Sequence, residues 1–344
     1  MATTIKDIAR KAGVSISTVS LVLNHKGYVA DETREKILSI IKEMDYKPLH
    51  SARKLATQKT GNMGYILWEG HFSEVEMFYS QVFLGMEYAA RKNDYYILLT
   101  TVNDHFDPRQ DLPRFLKYND VDGVALAGRV PLDLIHYLDK HAIPFVLVDY
   151  EVPGKNYNTI KIDNYNGAFR AVEFLIEQGR RHISFVGGTF IHPSIKERYR
   201  GYKDALEKHG LLNNSYLEAY SYCENVETSR AIGEKGIKKL LKSRPEIDGV
   251  FCCNDTTALG VLSGIQSMGK TIPEDVAVIG FDDIPPAEFS SPKLSTVSVP
   301  KLDIGKEAYK LLYEQIYNPN IMPQTRIISV DLVIRESSQT KNKP

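Results

Sequence analysis

Apolar positions along this chain follow two rhythms, and the change between them comes near residue 60. The first rhythm is helical. Ile5, Ile8, Ala9 and Ala12 stand at i, i+3, i+4 and i+7, one apolar face of a helix. Thr4 and Asp7 form an S/T-x-x-D start signal ahead of it, a hydroxyl and a carboxylate placed to satisfy free amides. Gly13 suits a tight turn. Ser15 is placed to cap a second helix that carries Val19, Val22 and Leu23 inward, and a third helix puts Ile37, Ile40, Ile41 and Met44 on one face. Two helices joined by a tight turn, with the start of the second exposed, have the geometry that reads a major groove. Three helices packed only for their own sake is the competing reading, and this spacing disfavours it.

From about Gly61 the pattern changes to short continuous apolar runs alternating with amphipathic stretches. Runs at 63–67, 95–101, 121–127 and 144–149 are followed by runs at 182–187, 216–222, 249–253 and 276–280, with helical segments between them, the first near 77–93. Buried parallel strands have this pattern. The strands suffice for two sheets, which predicts an all-α helix-turn-helix head and an α/β body of two doubly wound parallel-sheet lobes. A helix near 304–317 and a late strand at 325–334 imply that the chain crosses between the lobes more than once.

Charge sharpens the division. The whole chain carries 43 Lys+Arg and 43 Asp+Glu, but residues 1–60 hold eleven of the former and six of the latter, leaving a head at +5 and a body at −5. A basic head suits a phosphate backbone, and an acidic body is repelled by it. At 344 residues the chain is too long for one ordinary core. No apolar run reaches about 18 residues, so no membrane span is expected. The N-terminus enters a helix without the apolar stretch of a signal peptide, and a cytoplasmic protein is expected. Cys223, Cys252 and Cys253 form neither a C-x-x-C pair nor a metal-spaced set and read as reduced packing residues. No cofactor and no metal is expected.

Ligands of open parallel sheets bind beyond the carboxyl ends of the strands. Here those ends lead into Gly128-Arg129, Asp149-Tyr150, Gly187-Gly188-Thr189, Asn254-Asp255 and Gly280-Phe281-Asp282-Asp283. Carboxylates, an amide and a guanidinium thus converge with aromatic rings. A sugar needs both, paired polar groups for its hydroxyls and ring faces for its C–H surfaces. Taken singly, each Asp or Asn reads better as a turn residue or a helix cap, Asn254 or Asp255 above all for the helix that starts near Thr256. The set as a whole carries the binding reading.

Several motifs are jointly specific. The head contains T-I-K-D-I-A from Thr4, A-G-V-S from Ala12, T-V-S from Thr18, Asn24, D-E-T-R-E-K-I-L from Asp31, Y-K-P from Tyr46 and A-R-K-L from Ala52. The body contains D-N-x-x-G-A from Asp163, G-R-R-H-I-S-F-V-G-G from Gly179, R-x-x-G from Arg198, N-D-T-T-A-L-G from Asn254, I-P-E-D-V-A-V-I-G-F-D-D from Ile272 and L-S-T-V from Leu294. By these the chain resembles the LacI/GalR (lac repressor) family of transcription regulators along nearly its whole length. The resemblance implies a helix-turn-helix domain at 1–48 and a hinge helix with linker at 49–60. It implies a first lobe of 61–162 with 293–324, a second lobe of 163–292 with 325–336, and a flexible tail at 337–344.

What the family implies carries over by residue. The second helix enters the major groove, with Ile16 and Ser17 leading and Ser20 and Leu21 following. Ser15 and Thr18 donate to phosphates, Asn24 lies near them, and Thr4 counts with the DNA-binding set. Leu21 is a departure, because many relatives place an Arg there, and an Arg–guanine pair discriminates by roughly 1–3 kcal/mol. Ala30 stands where relatives have a capping Ser, a loss that Asp31 and Glu32 partly offset through the helix dipole. Residues 51–57 match the hinge helix, with Leu55 as a minor-groove wedge and Ala52 and Arg53 facing the same groove or its phosphates. A plain linker is the competing reading; seven residues are too few for a helix stable alone. In the body, Arg198, Asp282, Asp149 and Asn254 match effector-binding positions. Phe78 and Tyr79 fall where the family has N-P-F-F, here E-M-F-Y after W-E-G-H-F-S. Trp68 either lines the pocket or covers it. Arg129 serves an anionic group or pairs with a surface carboxylate, and the residues do not choose between these.

The implied partners are double-stranded operator DNA, a second copy of the chain and a small-molecule effector. A sugar or sugar derivative leads, with a purine or a phosphorylated metabolite as alternatives. The tail after Arg335 lacks a heptad pattern, so a homodimer is expected rather than a coiled-coil tetramer. Ligand between the lobes would change operator affinity, a coupling of about 1–3 kcal/mol. Relief of repression by ligand is the default direction, and co-repression uses the same parts. A secreted sugar-binding protein would lack the basic head, and no phosphate-cradling loop, G-x-S-x-G elbow or metal-spaced cluster supports an enzyme.

Overall fold

A computed structural model describes residues 3–23, 27–46, 59–71, 78–212, 216–224 and 227–339. The chain divides into two compact units, Met1–Gly61 and Asn62–Pro344.

The first unit is built by the helical rhythm. Helix α1 (Ile5–Ala12) starts at the Thr4–Asp7 signal, where the Thr4 N–H and hydroxyl both donate to the Asp7 carboxylate, at 3.0 and 2.6 Å. It ends at Gly13, whose φ of 72° is left-handed and easy only for glycine. Helix α2 (Ile16–Leu23) is capped as expected, the Thr18 amide donating to Ser15 Oγ at 3.0 Å. Helix α3 (Asp31–Glu43) has no side-chain cap at Ala30. Ile8, Val19 and Ile37, one from each helix, are fully buried and form the centre of a small core with Ala12 and Val22.

The second unit contains two six-stranded sheets. The first, in the order β11-β5-β4-β3-β1-β2, is parallel throughout and comprises β1 (Asn62–Trp68), β2 (Tyr96–Val102), β3 (Val124–Ala127), β4 (Phe145–Val148), β5 (Thr159–Ile162) and β11 (Thr325–Ile328). The second, in the order β12-β10-β9-β8-β6-β7, comprises β6 (Ile183–Gly187), β7 (Ser221–Cys223), β8 (Gly249–Cys252), β9 (Ala277–Asp282), β10 (Ser295–Ser298) and β12 (Asp331–Val333), with only β10–β12 antiparallel. The chain therefore crosses between sheets three times, after β5, after β10 and after β11. Helix Lys301–Tyr317, on the return, packs on helix Phe78–Arg91 through glycine. A Cβ on Gly85 would lie 2.0 Å from the Leu302 carbonyl, and one on Gly305 would lie 2.0 Å from that of Val82.

Several boundaries differ from the sequence reading. The stretch 293–324 is not all first lobe, because β10 completes the second sheet; and 325–336 is not all second lobe, because β11 completes the first. The late apolar run is thus two strands in two sheets, separated by Ser329 and Val330. Thr159–Ile162 is a strand that the periodicity did not announce, since Lys161 interrupts its apolar run. Residues 216–222 divide into helix Tyr216–Tyr220 and β7. Two residues assigned to a tail from 337 onward are instead part of the fold. Ser337 and Ser338 are fully buried, and Ser337 Oγ donates to the Val278 carbonyl at 2.6 Å while accepting from the Ser295 amide at 2.8 Å. Their small hydroxyls replace strand partners along the second sheet, which the polar composition conceals. Among the described residues no helix is long and apolar enough to cross a membrane, and no three metal-ligating side chains cluster.

Candidate effector site and DNA-reading surface

In both sheets the strand order reverses beside the first strand of the lobe, β1 and β6, and the polar groups gather at the carboxyl ends around those points. A cavity of about 110 Å³ lies there, lined from both lobes. It brings together Phe78, Tyr79, Asp149, Arg198, Asn254 and Asp282, with Trp68, from the sequence reading and adds His71, His192 and Glu227.

Arg198, on helix Pro193–Lys208, is the fixed point. It is 5 % exposed. Its Nε donates to Asn164 Oδ1 at 2.8 Å and one terminal nitrogen donates to the Cys253 carbonyl at 2.6 Å. The other terminal nitrogen lies 3.1 Å from Asp282 Oδ1, and the guanidinium sits 3.7 Å over the Phe281 ring. That Asp282 oxygen is close to Arg198 but not aligned for a hydrogen bond, so it keeps capacity to accept one. Burial pushes the Asp282 carboxyl up, with Arg198 and Lys301 pulling the other way.

Asp282 and Asp283 have φ of 110° and 54°, left-handed conformations for non-glycine residues. Their surroundings hold them there. The buried Lys301 amine donates to both carbonyls, and Arg335 donates to Asp283 Oδ1 at 2.8 Å. Lys301 opens the helix of the returning crossover and lies 5.8 Å over the Phe78 ring, so it ties the Asp282 turn of the second lobe to the first. Asp255, beside this turn, is fully buried and accepts from the Ile284 amide and the Thr296 hydroxyl, with burial raising its carboxyl to about 8.

On the first lobe, Asp149 has φ of 55° and accepts from the Tyr79 hydroxyl at 3.2 Å; burial raises its carboxyl to about 6, against the pull of Arg198. The Trp68 ring folds over Gly70 and meets His71 edge-on at 5.2 Å, and His71 in turn lies 4.8 Å from the Tyr79 ring. Across the cleft stands His192, 5.9 Å from His71 and 2.9 Å from Glu227. Among the described residues, Trp68 Nε1 and His71 Nε2 are buried and find no hydrogen-bond partner. A buried polar atom left unsatisfied costs about 1–3 kcal/mol, so these two mark where a ligand's polar atoms belong.

Burial holds the His71 imidazole low, to about 4, and His192 adds to the effect. A base depressed by folding contributes stability in full above its ordinary value of 6.5 and loses it as pH falls through about 4. Asp149 works oppositely, its contribution being full below 3.8 and lost as pH rises through about 6. His71→Gln is expected to reduce the fall in unfolding free energy between pH 7 and 4.5. Urea titrations of both proteins at the two pH values measure this, and parallel profiles would remove the buried neutral imidazole.

Other placements divide the proposed residues. Asn254 accepts from the Thr257 amide at 2.9 Å, so it is a helix cap as well as a lining residue, and its Nδ2 donates to Thr228. Arg129 does not line the cavity; it lies 3.8 Å from Asp104, the surface pairing that the sequence left open. Trp68 lines the cavity rather than merely covering it. The histidines follow the ends of β1 and β6, so the strand-end rule would have found them had it been applied there.

On the head, Thr4, Ser15, Ile16, Ser17 and Leu21 are exposed, Thr18 and Ser20 half-buried, and Val19 fully buried. The leading edge of α2 is therefore free to meet bases. Ser15 Oγ and Thr18 Oγ1 lie 2.9 Å apart, which leaves each hydroxyl further capacity toward a phosphate. Asn24, Ala52, Arg53 and Leu55, and with them the hinge segment, lie outside the described residues.

Comparison with known proteins agrees with both parts. Residues 4–48 match the family described as bacterial regulatory proteins, lacI family, and residues 172–338 match the periplasmic binding protein-like domain. The HTH-type transcriptional repressor PurR of Vibrio vulnificus is 32 % identical over 343 residues, 98 % of this chain and 99 % of the relative. The chain belongs to the lacI family of bacterial regulatory proteins. A second lacI-type relative, the ribose operon repressor of Haemophilus influenzae, is 33 % identical over 97 % of this chain and 98 % of its own length. Among solved structures, a transcriptional regulator CelR–cellobiose complex is 28 % identical with a TM-score of 0.73, covering 97 % of this chain and 99 % of its own. The lac repressor dimer bound to operator and an anti-inducer, 21 % identical, shares the fold over 99 % of this chain and all of its own at a TM-score of 0.81. This lacI-family chain is a transcriptional repressor with a DNA-binding helix-turn-helix head and two α/β lobes.

Proposed function

We propose that this repressor binds its operator as a homodimer and is switched by a neutral, hydroxyl-rich effector, a sugar, held between the lobes. The observation that carries the effector class is the charge of the cavity. Its lining holds three carboxylates, Asp149, Asp282 and Glu227, against one guanidinium, Arg198, whose three nitrogens already face Asn164, Cys253 and Asp282, and one imidazole, His192, that already faces Glu227. Such a wall repels phosphates and carboxylates. It offers acceptors to hydroxyls, the Trp68 and His71 nitrogens to ligand oxygens, and the rings of Trp68, Phe78 and Tyr79 to C–H faces. The names of the ribose operon repressor and of the cellobiose complex point the same way. Regulation of carbohydrate utilisation follows as the biological role.

Support for the dimer lies on the first lobe. Leu84 and Tyr88 on helix Phe78–Arg91 and Tyr96 and Leu99 on the edge strand β2 are large apolar residues left exposed, an edge and a face that a second copy would cover. Leu55 is proposed, from sequence, as the wedge at the operator centre.

A thermal-shift screen of the full chain tests the effector class. A ligand that binds only the folded protein stabilises it by about 2.7 kcal/mol at a hundred times its Kd. Neutral sugars are expected to raise Tm, whereas the corresponding sugar phosphates and sugar acids are not. A shift given only by a phosphorylated sugar, a sugar acid or a purine base would overturn the proposal.

A further inference from the structure

The effector cavity has a neighbour that its assigned residues do not explain. A second cavity of about 240 Å³ adjoins it, and the two share Asp149 and Ser194 as common wall. It too is lined from both lobes, by Tyr150, Glu151 and Lys161 of the first and Tyr165, Glu197 and Arg200 of the second.

The chemistry of this lining is that of a carbohydrate surface rather than an ion site. Its charges come as matched neighbours, Lys161 with Glu151 at 2.7 Å and Arg200 with Glu197 at 2.8 Å. Each pair presents an acceptor beside a donor, the complement of a hydroxyl group, and neither cation is left over for a phosphate. Arg200 also lies over the Tyr165 ring at 4.6 Å, which fixes the ring as a wall, and Tyr165 donates to Asp204 at 3.0 Å. Tyr150 directly follows Asp149, so one backbone step takes the wall from the first cavity to the second. The two cavities are also linked through Asn164, which lines the second while its side-chain oxygen accepts from Arg198 Nε in the first.

We infer that the cleft holds a disaccharide, with one ring in the Arg198 cavity and the other in the cavity lined by Tyr150, Lys161, Tyr165 and Arg200. This rests on the neutral-sugar reading of the first cavity. A ligand spanning both would touch residues flanking the first crossover, Lys161 and Tyr165, and so would bear directly on the angle between the lobes.

Isothermal titration of the full-length protein decides the matter, using glucose, galactose, xylose and ribose beside cellobiose, maltose, lactose and xylobiose. At least one disaccharide is expected to bind with a stoichiometry of one per chain and at least tenfold more tightly than its component monosaccharides. Arg200→Ala, at an exposed position, and Tyr150→Ala should each weaken that disaccharide tenfold while changing monosaccharide affinity less than twofold. A monosaccharide binding as tightly as every disaccharide, a monosaccharide stoichiometry of two, or equal weakening of both ligands by Arg200→Ala would overturn the second subsite and leave the first intact. Binding of none of these sugars would overturn both readings together.

Discussion

Arg198→Ala is expected to abolish effector binding and to lower the stability of the two-lobed unit by about 3–5 kcal/mol. Both effects come from the same burial. The guanidinium is 5 % exposed and stands between Asp282, Asn164, the Cys253 carbonyl and the Phe281 ring. Truncating it leaves Asp282 buried beside Asp149 and Asp255, carboxyls that burial already pushes up to about 6 and 8. With the opposing charge gone, Asp282 must be protonated or hydrated, and the left-handed turn that it occupies loses one of its restraints. Guanidinium chloride titration measures the stability loss and calorimetry the affinity. Unchanged stability would show that the Arg198–Asp282 pair is solvated rather than buried.

Ile37→Ala is expected to eliminate operator binding while leaving effector binding within twofold. Ile37 is fully buried at the meeting of α3 with Ile8 and Val19, and replacing a buried isoleucine by alanine costs about 2–5 kcal/mol. A head of this size holds a core worth only about 3–5 kcal/mol in total, so the loss is of the same order as all of its stability. The head forms its own compact unit, and the body has a core to which Ile37 does not contribute. Circular dichroism would then show an early, small helical transition, and an operator gel shift would fail at temperatures where the body is still folded. Retained operator affinity at 37 °C would refute the assignment of Ile37 to the core that presents α2.

The head was legible in the sequence almost residue by residue, for a physical reason. Its helices are short and local, so capping and turn chemistry act over three or four positions. Thr4 with Asp7, Gly13 and Ser15 all take the roles that their chemistry announces. The body was legible as a rhythm but not as a partition. Strands β10 and β11 are apolar runs of similar length, and nothing in either states which sheet it joins. Ser337 and Ser338 look like tail because hydroxyls are polar, yet the second sheet buries them through hydrogen bonds to partners some forty to sixty residues away.

The sequence by itself determined the family, the division into a basic head and an acidic body, and six of the residues that meet in the cleft. Those follow from local periodicity, from motifs and from the rule that ligands sit at strand ends, none of which needs a long-range contact. Only the tertiary structure decided how those residues are spent. It used Arg198 to balance Asp282, turned Arg129 away to Asp104, and set His71 against His192 from the other lobe. Charge balance and burial in a cleft are properties of groups brought together from distant parts of the chain. The partners of each cleft residue were therefore fixed only once the two sheets faced each other.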